Sequence, residues 1–409
     1  MHCRFCNTSL DQVFIDLGHS PASNSFLTLE ALNEPEVYFP LKVFTCPKCF
    51  LVQVDEYKKS DDIFDSDYVY FSSYSTSWLA HAKAYCNSML QRFNFDSRSL
   101  VVEVASNDGY LLQYFKEKNI PVLGIEPTSN TAEVAKSKGI ESVVDFFGVT
   151  LATRLAQEGK KADLLLGNNV LAHVPDIRDF VAGMKILLKE TGIITMEFPH
   201  LQKLIENNQF DTIYHEHFSY LSFHTVKQVF ESNGLEMFDV EELSTHGGSL
   251  RIYAKHAGNQ TIPVSNKVEN LLQKESAGGL TNMDFYATFK EKSLQVKLDL
   301  LKFLIAVKQD KKLVAGYGAA AKGNTLLNYC GVKHDLIDFV VDANPHKQNK
   351  FLPGSHIPVM HENHLKELKP AFVIIFPWNL SEEIIEQLSY IRNWGGKFVV
   401  PIPLVQIID

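Results

Sequence analysis

Four cysteines near the N-terminus constrain this chain more than any other feature. Cys3-x-x-Cys6 and Cys46-x-x-Cys49 form two knuckles about forty residues apart, the pattern that closes around one tetrahedral Zn²⁺. Four thiolates fill the metal's shell and leave no position for water. A structural metal is therefore expected, holding together a segment of about sixty residues with short β-rich runs (Tyr38 to Thr45, Leu51 to Val54) and little core of its own. The other uses of such knuckles are nucleic-acid binding and redox chemistry. A net charge of −9 disfavours the first, because non-specific affinity for DNA or RNA comes from Lys and Arg neutralising phosphates. Cys86 and Cys330 lack partner spacing and read as buried thiols. The first knuckle follows Met1 directly, so no signal peptide is expected. The longest apolar runs, such as Ala371 to Trp378, fall well short of the roughly 20 residues a bilayer span needs. The expectation is a cytoplasmic protein, with no membrane or nucleic-acid partner, whose paired cysteines are metal ligands rather than disulfides.

A chain of 409 residues has room for two or three domains at roughly 150 residues each. Beyond the cysteine segment, helical and strand periodicities alternate. Trp78, Ala82, Tyr85, Met89 and Leu90 recur at three- and four-residue steps, predicting a helix from about 77 to 95. Strand-like runs follow at 99–104, 122–126, 163–167 and 192–197, separated by helical stretches. That is the alternation of a doubly wound, mostly parallel sheet. Residues 265–310 read as a polar helical connector. A second α/β unit opens at 312–318 and continues through 337–342, 371–376 and 397–401.

Four stretches carry chemistry. The strand Val101 to Val104 runs into Ala105-Ser106-Asn107-Asp108-Gly109, a tight turn before a helix, where Gly109 lets backbone approach a ligand. Glu126 ends the next strand, 17 positions after Gly109, where a carboxylate can accept both ribose hydroxyls of an adenosine. The turn is not GxGxxG, which counts against NAD and FAD. It resembles the first motif of class I methyltransferases, with Ala105 and Asn107 standing where glycine is usual. Asn168, Asn169 and His173 follow a buried strand, at the end where ligands bind in such sheets. Asp211 to His217 concentrates five titratable side chains, including Tyr214, His215, Glu216 and His217. A zinc-protease HExxH would need histidine at Ser219, so the cluster reads as acid–base machinery, or else as a polar surface turn. Finally, Gly316-Tyr317-Gly318 through Lys322 and Asn324 makes a partial dinucleotide turn, with Ala321 in place of the third glycine. Lys322 favours a phosphate there.

Together these pieces resemble the three-part, zinc-containing sugar C-methyltransferases that make carbon-branched deoxysugars, and the resemblance spans essentially the whole chain. It implies an α/β protein with a zinc-binding domain (1–70), a class I methyltransferase domain on a doubly wound sheet (71–260) and a C-terminal Rossmann-like domain (261–409). It implies zinc on Cys3, Cys6, Cys46 and Cys49. S-adenosylmethionine would lie against Glu103, Ser106, Asn107, Asp108, Gly109, Glu126 and Asn169, with one of Tyr68, Tyr70 and Tyr74 reaching cofactor or sugar. Tyr214 or His217 would be the base and Glu216 would orient it, while His173 and His215 would face the sugar. Tyr317, Lys322 and Asn324 would hold the nucleotide-diphosphate sugar.

The implied reaction is methylation at carbon 3 of a 4-keto-6-deoxy sugar. A base removes the proton acidified by the ketone, and donors or a cation stabilise charge on the ketone oxygen. An O-methyltransferase could use the same cluster. A nicotinamide-dependent sugar oxidoreductase would use the Gly316 turn, and a zinc-ribbon module that only recruits a partner would use neither. No long exposed heptad or apolar stripe stands out, so a monomer is expected.

Overall fold

The computed structural model describes residues 1–59 and 70–409. Its strands are β1 (Val13–Ser20), β2 (Phe39–Thr45), β3 (Val52–Val54), β4 (Val101–Val104), β5 (Val122–Ile125), β6 (Ser142–Val143), β7 (Ala162–Asn168), β8 (Leu188–Pro199), β9 (Ser219–Tyr220), β10 (Leu235–Leu243), β11 (Ser249–His256), β12 (Val314–Tyr317), β13 (Phe339–Val341), β14 (Val359–Met360), β15 (Phe372–Ile375), β16 (Lys397–Val400) and β17 (Gln406–Ile408). They form three sheets.

The largest sheet has the order β10-β11-β8-β7-β4-β5-β6. Strands β4 to β8 run parallel, and β11 and β10 add antiparallel at one edge. All four residues of β4 are buried, as expected of a strand covered on both faces. Beside this sheet lies the helix Thr76–Phe93, which buries Trp78, Ala82, Tyr85, Cys86 and Met89. The Ser75 side chain caps its start and Asn94, at φ 54°, ends it. The third sheet, β14-β13-β12-β15-β16-β17, is parallel except for β17.

The small N-terminal sheet is antiparallel, in the order β1-β2-β3-β9. Its last strand comes from far along the chain. Ser219 and Tyr220, just after the Tyr214–His217 cluster, pair with Gln53 and Val52. The segment at 265–310 is helical, as expected, but it is more than a connector. The helix Phe289–Gln309 buries Phe289, Val296, Leu300 and Leu304 in a core shared by the N-terminal and C-terminal sheets. The Phe289 ring stacks on Phe14 at 4.6 Å. On the same helix Leu294, Leu298 and Ile305 stand about half exposed, a short apolar stripe that the sequence reading did not find. Among the described residues no helix is long and apolar enough to cross a membrane.

Candidate active site

In both parallel sheets the chain turns to opposite sides of one strand, β4 in the first and β12 in the second. Such a switch opens a crevice at the strands' carboxyl ends. Residues following both switch points line one cavity of about 390 Å³. The central sheet contributes Val104, Ala105 and Asn107 after β4, Ile125 and Glu126 at β5, and Asn168 and Asn169 at β7. The C-terminal sheet contributes Ala320, Ala321 and Lys322.

The turn after β4 has the backbone of a glycine-rich loop without most of the glycines. Ala105 and Asn107 both take positive φ (57° and 49°), as does Gly109 (74°). Asn tolerates this conformation because its short polar side chain bonds locally. Here Asn107 Oδ1 accepts from the Ser72 N–H (2.9 Å) and Nδ2 donates to the Tyr70 carbonyl (3.1 Å), fastening the Tyr70 segment over the cavity. A Cβ on Gly109 would meet Ile140 Cδ1 at 2.5 Å, so that glycine is required by packing as well as by φ. Glu126 is buried. One of its oxygens accepts from the Asn107 N–H (2.8 Å) and the other from the Thr128 N–H (2.9 Å); burial raises its pKa. Asn169 Oδ1 is buried with no hydrogen-bond partner among the described residues, an acceptor left for a ligand. This carboxylate, turn and orphaned acceptor fit an adenosine-bearing cofactor.

The other expected cofactor residues shape the turn from behind. Glu103 is fully buried in β4, and burial drives its carboxyl far above the usual range. Ser106 is buried, and its carbonyl accepts from the Gly109 N–H. Asp108 turns away to Lys138, whose Nζ also bonds the Asp108 carbonyl. Tyr70 lines the cavity; Tyr74, expected there too, is 60% exposed and does not line it. Tyr68 lies outside the described residues.

Three of the four residues from Tyr214 to His217 line the cavity. His217 Nδ1 is 2.9 Å from the Thr212 carbonyl, which can only accept, so the ring proton sits on Nδ1 and Nε2 keeps its lone pair. Burial and the neighbouring His173 hold its pKa well below the usual histidine value, so the ring is neutral. Tyr214 packs on His217 with ring centroids 4.0 Å apart, and His173 meets the same ring edge-on at 4.6 Å. Burial, with the nearby Glu216, pushes the Tyr214 phenol well above its usual pKa, so it keeps its proton. Burial lowers the His173 pKa to about 4.

Two expectations are corrected here. Glu216 does not orient His217: the Thr212 carbonyl does, and Glu216 Oε1 accepts instead from Asn24 Nδ2 at 2.7 Å. His215 points away from the cavity, to the Pro40 carbonyl (3.2 Å) and the edge of the Phe39 ring. The segment is a turn, closed by the His217 N–H on the Tyr214 carbonyl (2.9 Å), and it sends His215 outward while Tyr214, Glu216 and His217 face the cavity.

On the C-terminal side Lys322 lines the cavity. Its ammonium bonds Asn379 Oδ1 (2.6 Å) and lies 4.7 Å from the Trp378 ring; burial lowers its pKa. Tyr317 and Asn324 do not line the cavity. The Tyr317 hydroxyl accepts from Gln387 (3.1 Å), and Asn324 Nδ2 donates to the Ser23 carbonyl (2.6 Å), joining its helix to the N-terminal segment.

Sequence reasoning missed several lining residues: Asn24, Trp78, Asp145, Phe146, Phe147, His246 and Lys347. His246 holds φ 54° in the turn between β10 and β11, and its Nε2 accepts from Asn169 Nδ2 (2.9 Å). The following Gly247-Gly248 pair was the available signal, since His before two glycines between strands marks a turn of special geometry. Asn24 carried no local signal, because what it touches is remote in sequence.

The four N-terminal thiols converge as expected. All four sulfurs lie within 4.8 Å of one another, with Cys3–Cys49 and Cys6–Cys46 at 3.5 Å. Zn–S bonds of about 2.3 Å place tetrahedral sulfurs about 3.8 Å apart, so the donor set fits zinc. Gln53 Nε2 adds a hydrogen bond to Cys3 Sγ (3.3 Å). Within the first knuckle Arg4 reaches out to the carbonyls of Val54 and Pro175, tying the metal site to the large sheet.

Comparison with known proteins agrees with this division of labour. Residues 3–64 match a zinc binding domain family, 78–240 a methyltransferase domain family, and 244–403 the C-methyltransferase C-terminal domain family. The C-methyltransferase NovU of Streptomyces niveus is 34% identical over 407 residues, covering 100% of this chain and 96% of that protein. A ubiquinone biosynthesis O-methyltransferase from Bartonella quintana is 28% identical over 110 residues, 25% of this chain and 44% of that one. Among solved structures, a magnesium protoporphyrin IX methyltransferase from Synechocystis with bound SAM is 15% identical, with a TM-score of 0.33, covering 43% of this chain and 78% of that chain.

Proposed function

The chain belongs to the zinc-containing, S-adenosylmethionine-dependent C-methyltransferases, and from that premise we propose that it methylates carbon 3 of a nucleotide-diphosphate-linked 4-keto-6-deoxy sugar. The observation that carries this reading is the locked tautomer of His217, a neutral imidazole with its Nε2 lone pair free, packed on a protonated tyrosine in the cofactor cavity. Carbon methylation needs such a base, because a carbon nucleophile must be made before it can attack.

S-adenosylmethionine, when bound, supplies the electrophilic methyl group. Glu126 would accept the ribose hydroxyls, Asp145, Phe146 and Phe147 would surround the adenine, and Asn169 Oδ1 would accept from the amino-acid end. Lys322 and Lys347, flanking the N-terminus of the helix Ala321–Cys330, would meet the diphosphate. His217 Nε2 then takes the carbon-3 proton. The Tyr214 hydroxyl donates to the ketone oxygen as charge develops there, while His173, neutral and bonded to the Glu216 backbone, packs against the base. The zinc takes no part, because four thiolates complete its shell. The oxidoreductase reading is weakened at Asp342. Its carboxylate, unlike that of Glu126, does not line the cavity.

The test is incubation with S-adenosylmethionine and a panel of nucleotide-linked 4-keto-6-deoxy sugars, in water and in deuterium oxide. A product heavier by one methylene, with cofactor-independent deuterium exchange at carbon 3, is expected. Exchange at carbon 5 would move the reaction to the ketone's other flank. A methylated product without exchange would favour O-methylation.

A further inference from the structure

Asn24 belongs to the N-terminal sheet's side of the molecule, in the loop that leaves β1, yet it lines the cavity. The loop is fastened to the C-terminal unit. Asn324 Nδ2 donates to the Ser23 carbonyl at 2.6 Å, and Leu27 and Phe351 exchange backbone hydrogen bonds of 3.0 and 2.8 Å. A turn closed by the Ser25 N–H on the Ala22 carbonyl (3.1 Å) fixes the backbone between them. From this frame Asn24 Nδ2 reaches Glu216 Oε1 at 2.7 Å. Glu216 is 4% exposed and lines the cavity.

We propose that Asn24 is a positioning residue that keeps Glu216 ionised and aimed, so that the carboxylate can accept a hydrogen bond from a hydroxyl or amino group of the substrate. The zinc-binding end of the chain thereby sets the state of an active-site acid. An Asn amide donates to a carboxylate and has nothing to gain from a carboxylic acid's proton on the same oxygen, so the contact favours the charged form. Burial opposes it, raising the Glu216 pKa to about 7. The charges of Lys58 and Lys347 act in the same direction as Asn24, and the nearby Tyr214 phenol carries no charge of its own. Burial and these neighbours thus pull Glu216 in opposite directions, and the Asn24 hydrogen bond favours the charged form. The identity of the donor rests on the sugar-methylating reading; the control of Glu216 by Asn24 does not.

The experiment uses the full zinc-loaded chain with Asn24→Ala and Glu216→Gln. Glutamate carboxyl ¹³C spectra, with Glu216→Gln assigning the signal, follow the titration without any substrate. In Asn24→Ala the carboxyl should titrate about one pH unit higher, and the acidic limb of kcat/KM should move with it. Because the ionised form is the one proposed to be active, turnover at neutral pH falls roughly fivefold and recovers in alkaline buffer, with zinc content and S-adenosylhomocysteine binding unchanged. An unmoved carboxyl titration, or an equal loss of rate at every pH, overturns the proposal. A shifted titration in a protein that methylates none of the 4-keto sugars would sustain the role of Asn24 and reject the sugar reading.

Discussion

His217 is oriented by the Thr212 backbone carbonyl, five positions earlier, and that has a measurable consequence. Replacement by alanine removes the Nε2 acceptor while leaving the cofactor crevice intact, so turnover should fall by about 10²–10⁴ with little change in S-adenosylhomocysteine affinity. Calorimetric binding beside single-turnover rates would check this, and an unaltered rate would remove His217 from the mechanism. The pH behaviour of wild type follows from the same confinement. The His217 pKa lies well below 6.5, so the basic form is already present there, and no loss of activity through protonation of this ring is expected as pH falls from 8 to 6.5. Residue identity alone singled out His217, Tyr214, Glu126 and Lys322, all of which line the cavity. It could not tell His217 from His215, because the two differ only in which neighbour the fold gives them, Thr212 or Pro40.

Elements explain why an imperfect motif still builds a binding turn. Ala105 and Asn107 departed from the glycine pattern in sequence, yet the backbone between β4 and the following helix holds both at positive φ. The cost for alanine is about 1–2 kcal/mol, so Ala105→Gly should leave stability within about 1 kcal/mol of wild type, the relief of strain offsetting the entropy of glycine. Asn107→Gly loses two hydrogen bonds to the Tyr70 segment and should weaken cofactor binding roughly tenfold. Gly109→Val combines a positive φ with a collision against Ile140 and should destabilise by at least about 2 kcal/mol. Thermal unfolding of the three variants separates these cases; a Gly109→Val protein that melts with wild type would show the packing argument to be wrong. The strand and helix alternation was legible because buried parallel strands are continuous apolar runs. The helix that follows the turn after β4 is short, Leu112–Lys116, because the turn takes up the residues before it.

At the scale of the molecule, the segment from Asp211 to Tyr220 is held from every side. Trp378 Nε1 donates to Asp211, Thr325 to the Ile213 carbonyl, Asn24 to Glu216, and β9 pairs with β3. Its geometry is therefore a property of the assembled chain. Stripping the zinc with a chelator should loosen the N-terminal sheet, release Arg4 from Pro175 and Asn24 from Glu216, and abolish methyl transfer although four thiolates leave the metal no open position. Metal analysis, hydrogen exchange of β1 to β3 and activity, measured together, test this; full activity in a metal-free protein would show that the two ends are uncoupled.

By itself the sequence determined the converging cysteines, the alternation of strands and helices, the turn after β4 and the titratable stretch that lines the cavity. These depend on short-range features: ligand spacing, periodicity, and residue types at a strand's end. Only the tertiary structure decided that two switch points face a single cavity, that Asn24, His246 and Lys347 enter it, and that His215, Tyr317 and Asn324 do not. Those outcomes turn on which residues, up to three hundred positions apart, come within hydrogen-bonding distance, as Asn324 and Ser23 do, and no local pattern encodes a partner that the chain meets only once it has folded.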